Sequence, residues 1–548
     1  MNALRPTLVL LLATLAFAAV VPGGGFVFDD HVLIERNDEL KRGDVWWKAF
    51  ERDYYATSDR PGISGYYRPI AVLCNAFDVH VWHAHARGAH LTNIALHVLA
   101  CLLIPWALMA LGVPAAAAWP SALVFAVHPV HAESVAFISG RVDVLAAGFI
   151  MLAMSFAASK ARWAWLGVGF ATLLAFLSKE IAVVLPVLLI LVWRARASAW
   201  PKAQIAAVVL AGGVTILLRQ RALDALLPTS ASAVRPEGAA LLPLQTLLFV
   251  AQSMFAPARL LSMEPDASRL LALRALAGAL VWLGTWSAAW RWSAATRPAL
   301  RRCAIAAGVS LFPILNVLPQ ETQLSERFLY LASVFLLVPI GLLVARAWSS
   351  SNTGRWAALS GLVLVIAALL WISDWRARIW RRDLSLWQHA VLEEPDRSAY
   401  WDRLGMSYLE RRQWNEAENA LRRAVQLDSK SYNAWHNLGV LLANTRRYQE
   451  SADAYRNALQ LHSRSVVSHV NLGRVLIAMR DIGAAYEEFV TATEIKPDYA
   501  EAHRLAGMAA LRMGHSEDAE RHLQTAARLD PANPSIQQTL RKLEQRQP

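Results

Sequence analysis

Long apolar runs alternate with short polar segments over the first two thirds of the chain. A helix that crosses a bilayer needs about 20 apolar residues, and most of these runs approach that length. They lie near residues 5–22, 88–112, 113–127, 142–158, 163–178, 181–193, 203–219, 270–290, 301–318, 328–345 and 356–373. The pattern therefore predicts an all-α, polytopic membrane domain over residues 1–374, with about eleven spans.

One further run, 243–261, contains Gln245, Gln252 and Arg259 and is predicted to lie at the membrane surface. Residues 1–21 resemble a secretory signal peptide, with one Arg, an apolar stretch and small residues at its end. The alternative is an uncleaved first span, which we prefer because the topology described below requires it.

The pattern changes near residue 398, where small residues recur every 34 positions: Gly405, Gly439, Gly473 and Gly507, and Ala424, Ala458, Ala492 and Ala526. The segment from Trp401 through Leu404 and Gly405 to Tyr408 matches the tetratricopeptide-repeat pattern. We predict four repeats and a capping helix over 398–548, which form an α-solenoid. Residues 375–397 are predicted to be a connecting helix and a degenerate half-repeat that stacks directly on the membrane domain.

Composition supports a membrane protein. Hydrophobic residues make up 55% of the chain and charged residues only 18%. The net charge of +12 lies largely in short Arg and Lys clusters between apolar runs, which is a topology signal rather than evidence for nucleic-acid binding. The three Cys have no metal-binding spacing and predict neither a disulfide framework nor a zinc site.

The basic clusters predict the topology. Four of them lack Asp and Glu, and all four are cytoplasmic if the N-terminus is inside: 160–162, 194–202, 291–302 and 346–355. Segments 24–87, 128–141, 178–181, 220–269, 319–327 and everything after 374 are then outside. Four arginines between 376 and 382 disagree with this rule, but a long domain that follows them translocates largely regardless of charge.

The segments predicted to lie outside contain most of the charged residues that could form a site. These are Asp29-Asp30, the Tyr67-Arg68-Pro69 turn, the stretch from His128 to Asp143, Ser178-Lys179-Glu180 and Ser325-Glu326-Arg327. Charged groups at the edge of a bilayer are costly unless they contact water, each other or a ligand. We therefore expect these five segments to form one site.

Each of these groups also has a structural explanation. Asp29 and Asp30 can act as a general base or bind a divalent cation, or simply form a solvated helix start. The central stretch can bind an anion, or Arg141 can pair with Glu133 or Asp143 to fix a kink. His128 and His131 lack a third metal ligand at suitable spacing. Lys179 and Arg327 can bind a lipid phosphate or only extend towards headgroups.

In their order along the chain, these segments resemble the transmembrane and tetratricopeptide-repeat-containing (TMTC) proteins and their bacterial relatives. The matching pieces are Phe28-Asp-Asp30, Tyr67-Arg-Pro69, His128-Pro-Val-His-Ala-Glu-Ser-Val-Ala, Gly140-Arg-Val-Asp-Val-Leu145, Leu177-Ser-Lys-Glu180, Ser325-Glu-Arg-Phe-Leu-Tyr330 and Trp380-x-x-Asp383-x-x-x-Trp387. The chain departs from the family in its small number of repeats and in a 328–332 segment without the usual Pro.

The resemblance implies a GT-C-type glycosyltransferase that takes a sugar from a polyprenyl-phosphate carrier, as in protein O-mannosylation from dolichyl-phosphate mannose. By resemblance, Asp29 or Asp30 would be the base that acts on the acceptor hydroxyl. From charge and predicted sidedness, Arg141, Lys179 and Arg327, together with Arg68, are candidates for binding the donor phosphate. The residues expected to shape the site are His128, His131, Glu133, Asp143, Glu180 and Glu326.

The expected partners are a polyprenyl-phosphate sugar, a protein or glycan acceptor, membrane lipids and proteins bound by the repeats, with no nucleic acid. Abundant Ala, Arg and Trp with short loops favour a bacterial inner membrane, with the repeats in the periplasm. Two other functions remain open. One is a membrane-anchored scaffold without catalysis, and the other is a transporter of lipid-linked sugars, which predicts charges near the middle of the spans.

Overall fold

The computed structural model describes residues 4–55, 65–196, 200–223, 242–255, 269–292, 294–314 and 325–544. All regular secondary structure among these residues is helical, which confirms the predicted fold class. The chain forms two compact units, residues 1–386 and 387–548. The division falls inside the helix Asp383–Glu393.

Each of the eleven apolar runs lies on, or overlaps, a helix of the first unit. The longer helices of this unit are Leu4–Phe17, Pro69–Trp82, Ala86–Ala110, Ala115–Ala126, Arg141–Ala157, Ala164–Phe176, Leu185–Ala195, Lys202–Leu223, Leu242–Phe255, Arg269–Trp292, Arg297–Leu311, Tyr330–Leu336, Val338–Trp348 and Asn352–Ile379. Among the described residues, five helical segments are long and apolar enough to cross a membrane: Ala86–Ala110, Ile138–Ala157, Lys202–Leu223, Glu326–Trp348 and Asn352–Ile379. The span count of eleven stays a prediction.

The helix Asn352–Ile379 shows why these elements need a membrane. It begins at the Ser351 cap, whose hydroxyl accepts a hydrogen bond from the Gly354 N–H. Along its length Trp356, Leu364 and Trp371 are 69–74% exposed. A helix that is apolar on all sides and not covered by protein is stable where lipid replaces water.

The run 243–261 falls partly on the helix Leu242–Phe255, and its residues 256–261 lie outside the described residues. On this helix Thr246, Phe249 and Met254 are buried. Its position relative to the membrane surface stays a prediction.

Residues 24–55 and 65–82 form a small packed layer within the first unit. Short helical turns lead into the helix Pro69–Trp82, which starts with Pro at its first position. Leu33, Ile34, Leu40, Val45, Tyr54, Val72 and Val79 are buried together, and Ile138 and Val142 join the same core. The first long polar segment therefore packs on the central His128–Asp143 stretch.

After the helix Asp383–Glu393, the described residues of the second unit form four helix pairs and a further helix: Ser398–Glu410 with Trp414–Leu427, Tyr432–Asn444 with Tyr448–Leu461, Val466–Ala478 with Ile482–Ile495, Ala500–Met513 with Ser516–Leu529, and Pro534–Glu544. The recurring glycines lie where the two helices of a pair approach closely. A Cβ at each of them would collide with the side chain sixteen residues later: Leu421, Tyr455, Phe489 and Leu523. Each repeat of 34 residues has one such close approach, which explains why a glycine recurs once per repeat.

Candidate active site

The loop of residues 23–31, called the N-terminal loop here, carries the two acids. Gly24 has no room for a side chain, because a Cβ there would collide with the Val20 carbonyl oxygen and the His90 ring. Phe28 has φ of +54°, a left-handed conformation that is rare for a bulky residue. A π-helical turn, His31–Glu35, follows. Backbone strain and π turns are both concentrated at functional sites.

Asp30 is fully buried and bonded on both carboxylate oxygens. One oxygen accepts hydrogen bonds from the Ser139 N–H (2.8 Å) and hydroxyl (2.6 Å), and the other accepts from the Val27 N–H (3.1 Å). Burial raises the pKa of Asp30 to about 7, although these hydrogen bonds oppose the shift. Asp30 therefore attaches the N-terminal loop to the central stretch and has no surface with which to contact an acceptor.

Asp29 differs from Asp30 in that it is partly exposed. Its carboxylate accepts a hydrogen bond of 3.3 Å from the Tyr55 hydroxyl. Of the two predicted acids, only Asp29 is placed to meet a substrate in this conformation.

The central histidines are buried and packed. His128 bonds to the Met254 carbonyl oxygen at 3.0 Å, and His131 bonds to the Ser333 hydroxyl at 3.0 Å. The His131 ring lies 4.0 Å from that of Phe125. Burial lowers the pKa of His128 to about 4 and that of His131 well below its usual value. Both are neutral at pH 7, and their rings pack against other buried groups of the first unit.

Arg141 is fully buried and forms an ion pair of 2.6 Å with Asp78 of the helix Pro69–Trp82. It also donates to the carbonyl oxygens of Ile138 and Ala89. This is a structural pair of the kind expected as the alternative, but with a different carboxylate from Glu133 or Asp143. In this arrangement Arg141 is not accessible to a lipid phosphate.

Glu133 and Glu326 lie close in sequence to predicted cations, but only Glu133 contacts one of them. Glu133 accepts hydrogen bonds from the Ser325 hydroxyl and the Arg327 N–H, and it lies 3.7 Å from Arg327 Nε. Glu326 instead pairs with the fully buried Arg376, which also donates to the Pro129 carbonyl oxygen. Arg376 therefore links the end of its long helix both to Glu326 and to the central stretch.

Lys179 and Arg68 are each held by one acid. The Lys179 ammonium lies 2.6 Å from Asp143, and the Arg68 guanidinium donates through two nitrogens to Glu180, at 2.8 Å and 3.1 Å. Burial lowers the pKa of Lys179 to about 8, an effect that Asp143 opposes and the nearby charges of Arg327 and Arg68 reinforce.

Two series of contacts lead from Asp29 and its neighbour Phe28 to three cations, called the cation cluster here: Arg68, Lys179 and Arg327. Lys179 and Arg327 lie over the Phe328 ring, at 4.7 Å and 5.5 Å, and Arg327 is also 5.9 Å from the Phe137 ring, which contacts Phe28. In the other direction, Arg68 lies 5.5 Å from the Tyr54 ring, which packs on Tyr55 beside Asp29.

The pKa of the Tyr55 hydroxyl agrees with these contacts. Burial raises the pKa of the Tyr55 hydroxyl, the charge of Asp29 raises it further, and the charges of Arg68 and Arg327 lower it. One acid and cations from distant segments therefore act on the same group.

Several residues of this site were not predicted from the sequence. The aromatic residues Tyr54 and Tyr55 carried no recognisable motif. His31 and Asp383 form an ion pair of 2.6 Å, and this hydrogen bond raises the pKa of His31 to about 9. Only the position of Asp383 in the Trp380–Trp387 segment could have indicated it.

The arginines that disagreed with the topology rule have specific partners. Besides Arg376, Arg381 donates to the Ala19 carbonyl oxygen at 2.6 Å and Arg382 to that of Gly23 at 3.0 Å. Arg378 pairs with Asp374 at 2.9 Å. These contacts show what holds the cluster in the protein, and the side of the membrane on which it lies stays a prediction.

A divalent cation at Asp29 and Asp30 stays a prediction. Both oxygens of Asp30 accept hydrogen bonds from the protein, so a cation there would compete with Ser139 and Val27 for them. Within the described ranges, no group of three or more His, Cys, Asp or Glu side chains is arranged to hold a metal ion.

Comparison with known proteins finds similarity to tetratricopeptide-repeat proteins and to curated protein O-mannosyl-transferases. Two models of the tetratricopeptide repeat match residues 403–465 and 476–543, which confirms the predicted repeats. The crystal structure of MamA is 23% identical and covers 27% of this chain and 86% of its own, with a TM-score of 0.26.

Among curated proteins, "Protein O-mannosyl-transferase Tmtc2" of Drosophila melanogaster is 31% identical over 29% of this chain and 18% of its own length. "Protein O-mannosyl-transferase TMTC1" of Homo sapiens is 34% identical over 24% of this chain and 15% of its own length. The matched segments thus span less than a fifth of these relatives. The chain has homologues among the TMTC proteins, in agreement with the resemblance drawn from its motifs.

Proposed function

We propose that this chain is a membrane glycosyltransferase that moves a mannose-like sugar from a polyprenyl-phosphate carrier to a hydroxyl group outside the cytoplasm, with Ser or Thr of a protein as the preferred acceptor. The observation that carries the proposal is that two series of contacts connect Asp29 and its neighbour Phe28 to the cation cluster. The names of the curated relatives, which are protein O-mannosyl-transferases, suggest the class of sugar and acceptor.

In the proposed reaction Asp29 takes the proton of the acceptor hydroxyl while that oxygen attacks the anomeric carbon of the sugar. The bond between this carbon and the phosphate oxygen breaks, and its electron pair stays on the phosphate. A positioned carboxylate of this kind accelerates a reaction by roughly 10²–10⁴-fold. The departing lipid phosphate gains negative charge, so cations fixed in advance stabilise the transition state more than the ground state.

Arg327 is the member of the cluster best placed to contact the phosphate. Its side chain is 21% exposed, and its distance of 3.7 Å from Glu133 is the longest of the three ion pairs. Lys179 and Arg68 have tighter carboxylate partners, which hold them in position and limit the repulsion among three nearby cations. Glu133 is the most distant of the three carboxylates from its cation, so a phosphate oxygen meets the least competition at Arg327.

The repeats of the second unit provide a surface for protein partners, and we assign them the recruitment of the acceptor. A cavity of about 220 Å³ lies between two repeats and is lined by Val440, Asn444, Tyr448, Asn471 and Arg474, among others. Amide, guanidinium and phenol groups beside apolar side chains suit an extended peptide.

The test is to incubate the purified full chain with radiolabelled polyprenyl-phosphate mannose and a Ser- and Thr-containing acceptor peptide, and to measure released lipid phosphate and labelled peptide. We expect both products to form in equal amounts. Arg327→Ala should weaken donor binding. Arg355→Ala should not, because it removes an exposed arginine from a segment predicted to lie in the cytoplasm. If no lipid phosphate is released from any polyprenyl-phosphate sugar, the transferase proposal is wrong.

The repeats also favour a second function, a membrane-anchored scaffold that binds a protein without catalysis. Tetratricopeptide repeats commonly serve as such surfaces. In that case partners bound by residues 398–544 would be retained while Asp29 and Arg327 could be replaced without effect in cells. If an Asp29→Asn strain shows the same defect as a strain that lacks the protein, while the repeats still bind their partners, a scaffold is excluded as the sole function.

A further inference from the structure

Residues 380–383 bind the N-terminal loop, and the proposed function gives this segment no role. The segment 380–383 follows the last long helix and lies along residues 19–31. Its backbone accepts a hydrogen bond of 2.8 Å from the Gly25 N–H at the Arg381 carbonyl oxygen. The Trp380 ring stacks on that of Phe137 at 5.5 Å, and Phe137 contacts Phe28.

Asp383 contacts residues on both sides of Asp29 in the chain. One of its oxygens accepts a hydrogen bond of 3.0 Å from the Phe28 N–H, and the other lies 2.6 Å from His31 Nε2. These partners are the residue before Asp29 and the second residue after it. The side chains of His31 and Asp383 are 22% and 17% exposed, so solvent screens this pair only in part.

The conformation of the loop explains why such an anchor is needed. Phe28 is in the left-handed region, which a residue with a Cβ adopts only when the surroundings enforce it. The next residue, Asp30, is bonded to Ser139. Asp29 therefore lies between Phe28, which Asp383 binds, and the buried Asp30.

We infer that Asp383 is a positioning residue for the proposed reaction, which keeps Asp29 in place beside Tyr55 and the cation cluster. This inference rests on the proposed function. The alternative is that Asp383 only starts the helix Asp383–Glu393, as acids commonly do. That role does not require both carboxylate oxygens to bond to the N-terminal loop, whereas the positioning role does.

Hydrogen–deuterium exchange of the full chain in lipid nanodiscs tests the anchor without any assay of activity. In Asp383→Ala, the Phe28 amide should exchange at least about tenfold faster than in the wild type, because its acceptor is gone. The matched control is Asp374→Ala, which removes an acid paired with Arg378 near the end of the preceding helix. It should leave the Phe28 amide unchanged.

Should Asp383→Ala fail to fold, Asp383→Asn is the second variant, since it keeps an acceptor for Phe28 but loses the charge that faces His31. We then expect a smaller acceleration at Phe28. Unchanged exchange at Phe28 in a folded Asp383 variant would overturn the inference.

The kinetic consequence separates positioning from general stability. A displaced base slows the chemical step, so kcat should fall by about tenfold to a hundredfold while KM for the polyprenyl-phosphate donor is retained. Equal changes in both variants at 383 and 374, or a rise in donor KM alone, would contradict this role. If the wild-type chain transfers no sugar, the proposed function fails, and the exchange measurement still decides whether Asp383 holds the loop.

Discussion

Lys179 has a buried ammonium group beside two guanidinium groups, so its charge is sensitive to pH. Its pKa is lowered to about 8 by burial, which means that the cationic form is present below pH 8 and is lost above it. We expect kcat/KM for the donor to fall by about tenfold per pH unit above pH 8, since the neutral amine no longer attracts the phosphate.

The check is a pH–rate profile of the wild type against Lys179→Arg, whose guanidinium stays charged throughout this range. The decline above pH 8 should vanish in the variant. A decline of the same size in both proteins would show that another group is responsible.

Arg141 is expected to stabilise the fold rather than bind the donor. Removing one partner of a buried ion pair leaves an uncompensated charge and costs about 3–5 kcal/mol, whereas replacing both by apolar residues is often neutral. Arg141→Met should therefore lower the thermal stability of the purified protein strongly, and Arg141→Met with Asp78→Leu should restore most of it. Donor affinity in the double variant should match the wild type. A stable double variant that no longer binds donor would return Arg141 to the phosphate site.

The identity of the charged residues was visible in the sequence, but their pairing was not. Glu133, Asp143, Glu180 and Glu326 are all near cations in the chain, and only the packed structure decides which oxygen meets which nitrogen. Arg141 selects Asp78, 63 residues earlier, and Glu326 selects Arg376, 50 residues later. Such choices depend on differences of a few ångströms, which hydrophobic patterning does not encode.

At the level of elements, the local patterns predicted the helices well. Apolar runs and a repeat period are properties of consecutive residues, and backbone hydrogen bonding in lipid leaves helices as the main solution. The helix Pro69–Trp82 was not among the predicted apolar runs, because it is short and includes Asn75 and Asp78, which are buried by tertiary contacts. The φ of Phe28 was likewise invisible, since it is imposed by contacts with distant residues.

Close helix approach in the repeats gives a prediction with a built-in control. Gly473→Ala should destabilise the second unit by about 1–3 kcal/mol, because the added Cβ would overlap the Phe489 ring. Gly483→Ala adds the same methyl group to a helix where nothing lies within 4 Å, and should stabilise by up to about 1 kcal/mol.

Thermal unfolding of the full chain, monitored by protease resistance of residues 387–544, measures both variants. Equal stability of the two would mean that the 34-residue glycines do not mark close packing.

For the whole molecule, the predicted topology requires the N-terminal loop, the cation cluster and the repeats to lie on the same side of the membrane. Single cysteines at three exposed lysines report this: Lys41, Lys160 and Lys430. In intact cells or sealed right-side-out vesicles, a membrane-impermeant maleimide should label positions 41 and 430 but reach position 160 only after permeabilisation.

The maleimide could also react with the native cysteines Cys74, Cys101 and Cys303. The single-cysteine variants are therefore made in a protein from which these three have been removed. Labelling of 41 and 430 from opposite sides would separate the repeats from the site and end the assignment of acceptor recruitment.

The most direct measurement concerns Asp29, on which the whole proposal depends. In the assay with polyprenyl-phosphate mannose and acceptor peptide, Asp29→Asn should lower kcat by about 100-fold or more, because amide nitrogen cannot accept the acceptor proton. Donor binding, measured separately, should remain at the wild-type level, and Asp374→Asn should transfer normally. Full transfer by Asp29→Asn would contradict the account, whatever the other variants show.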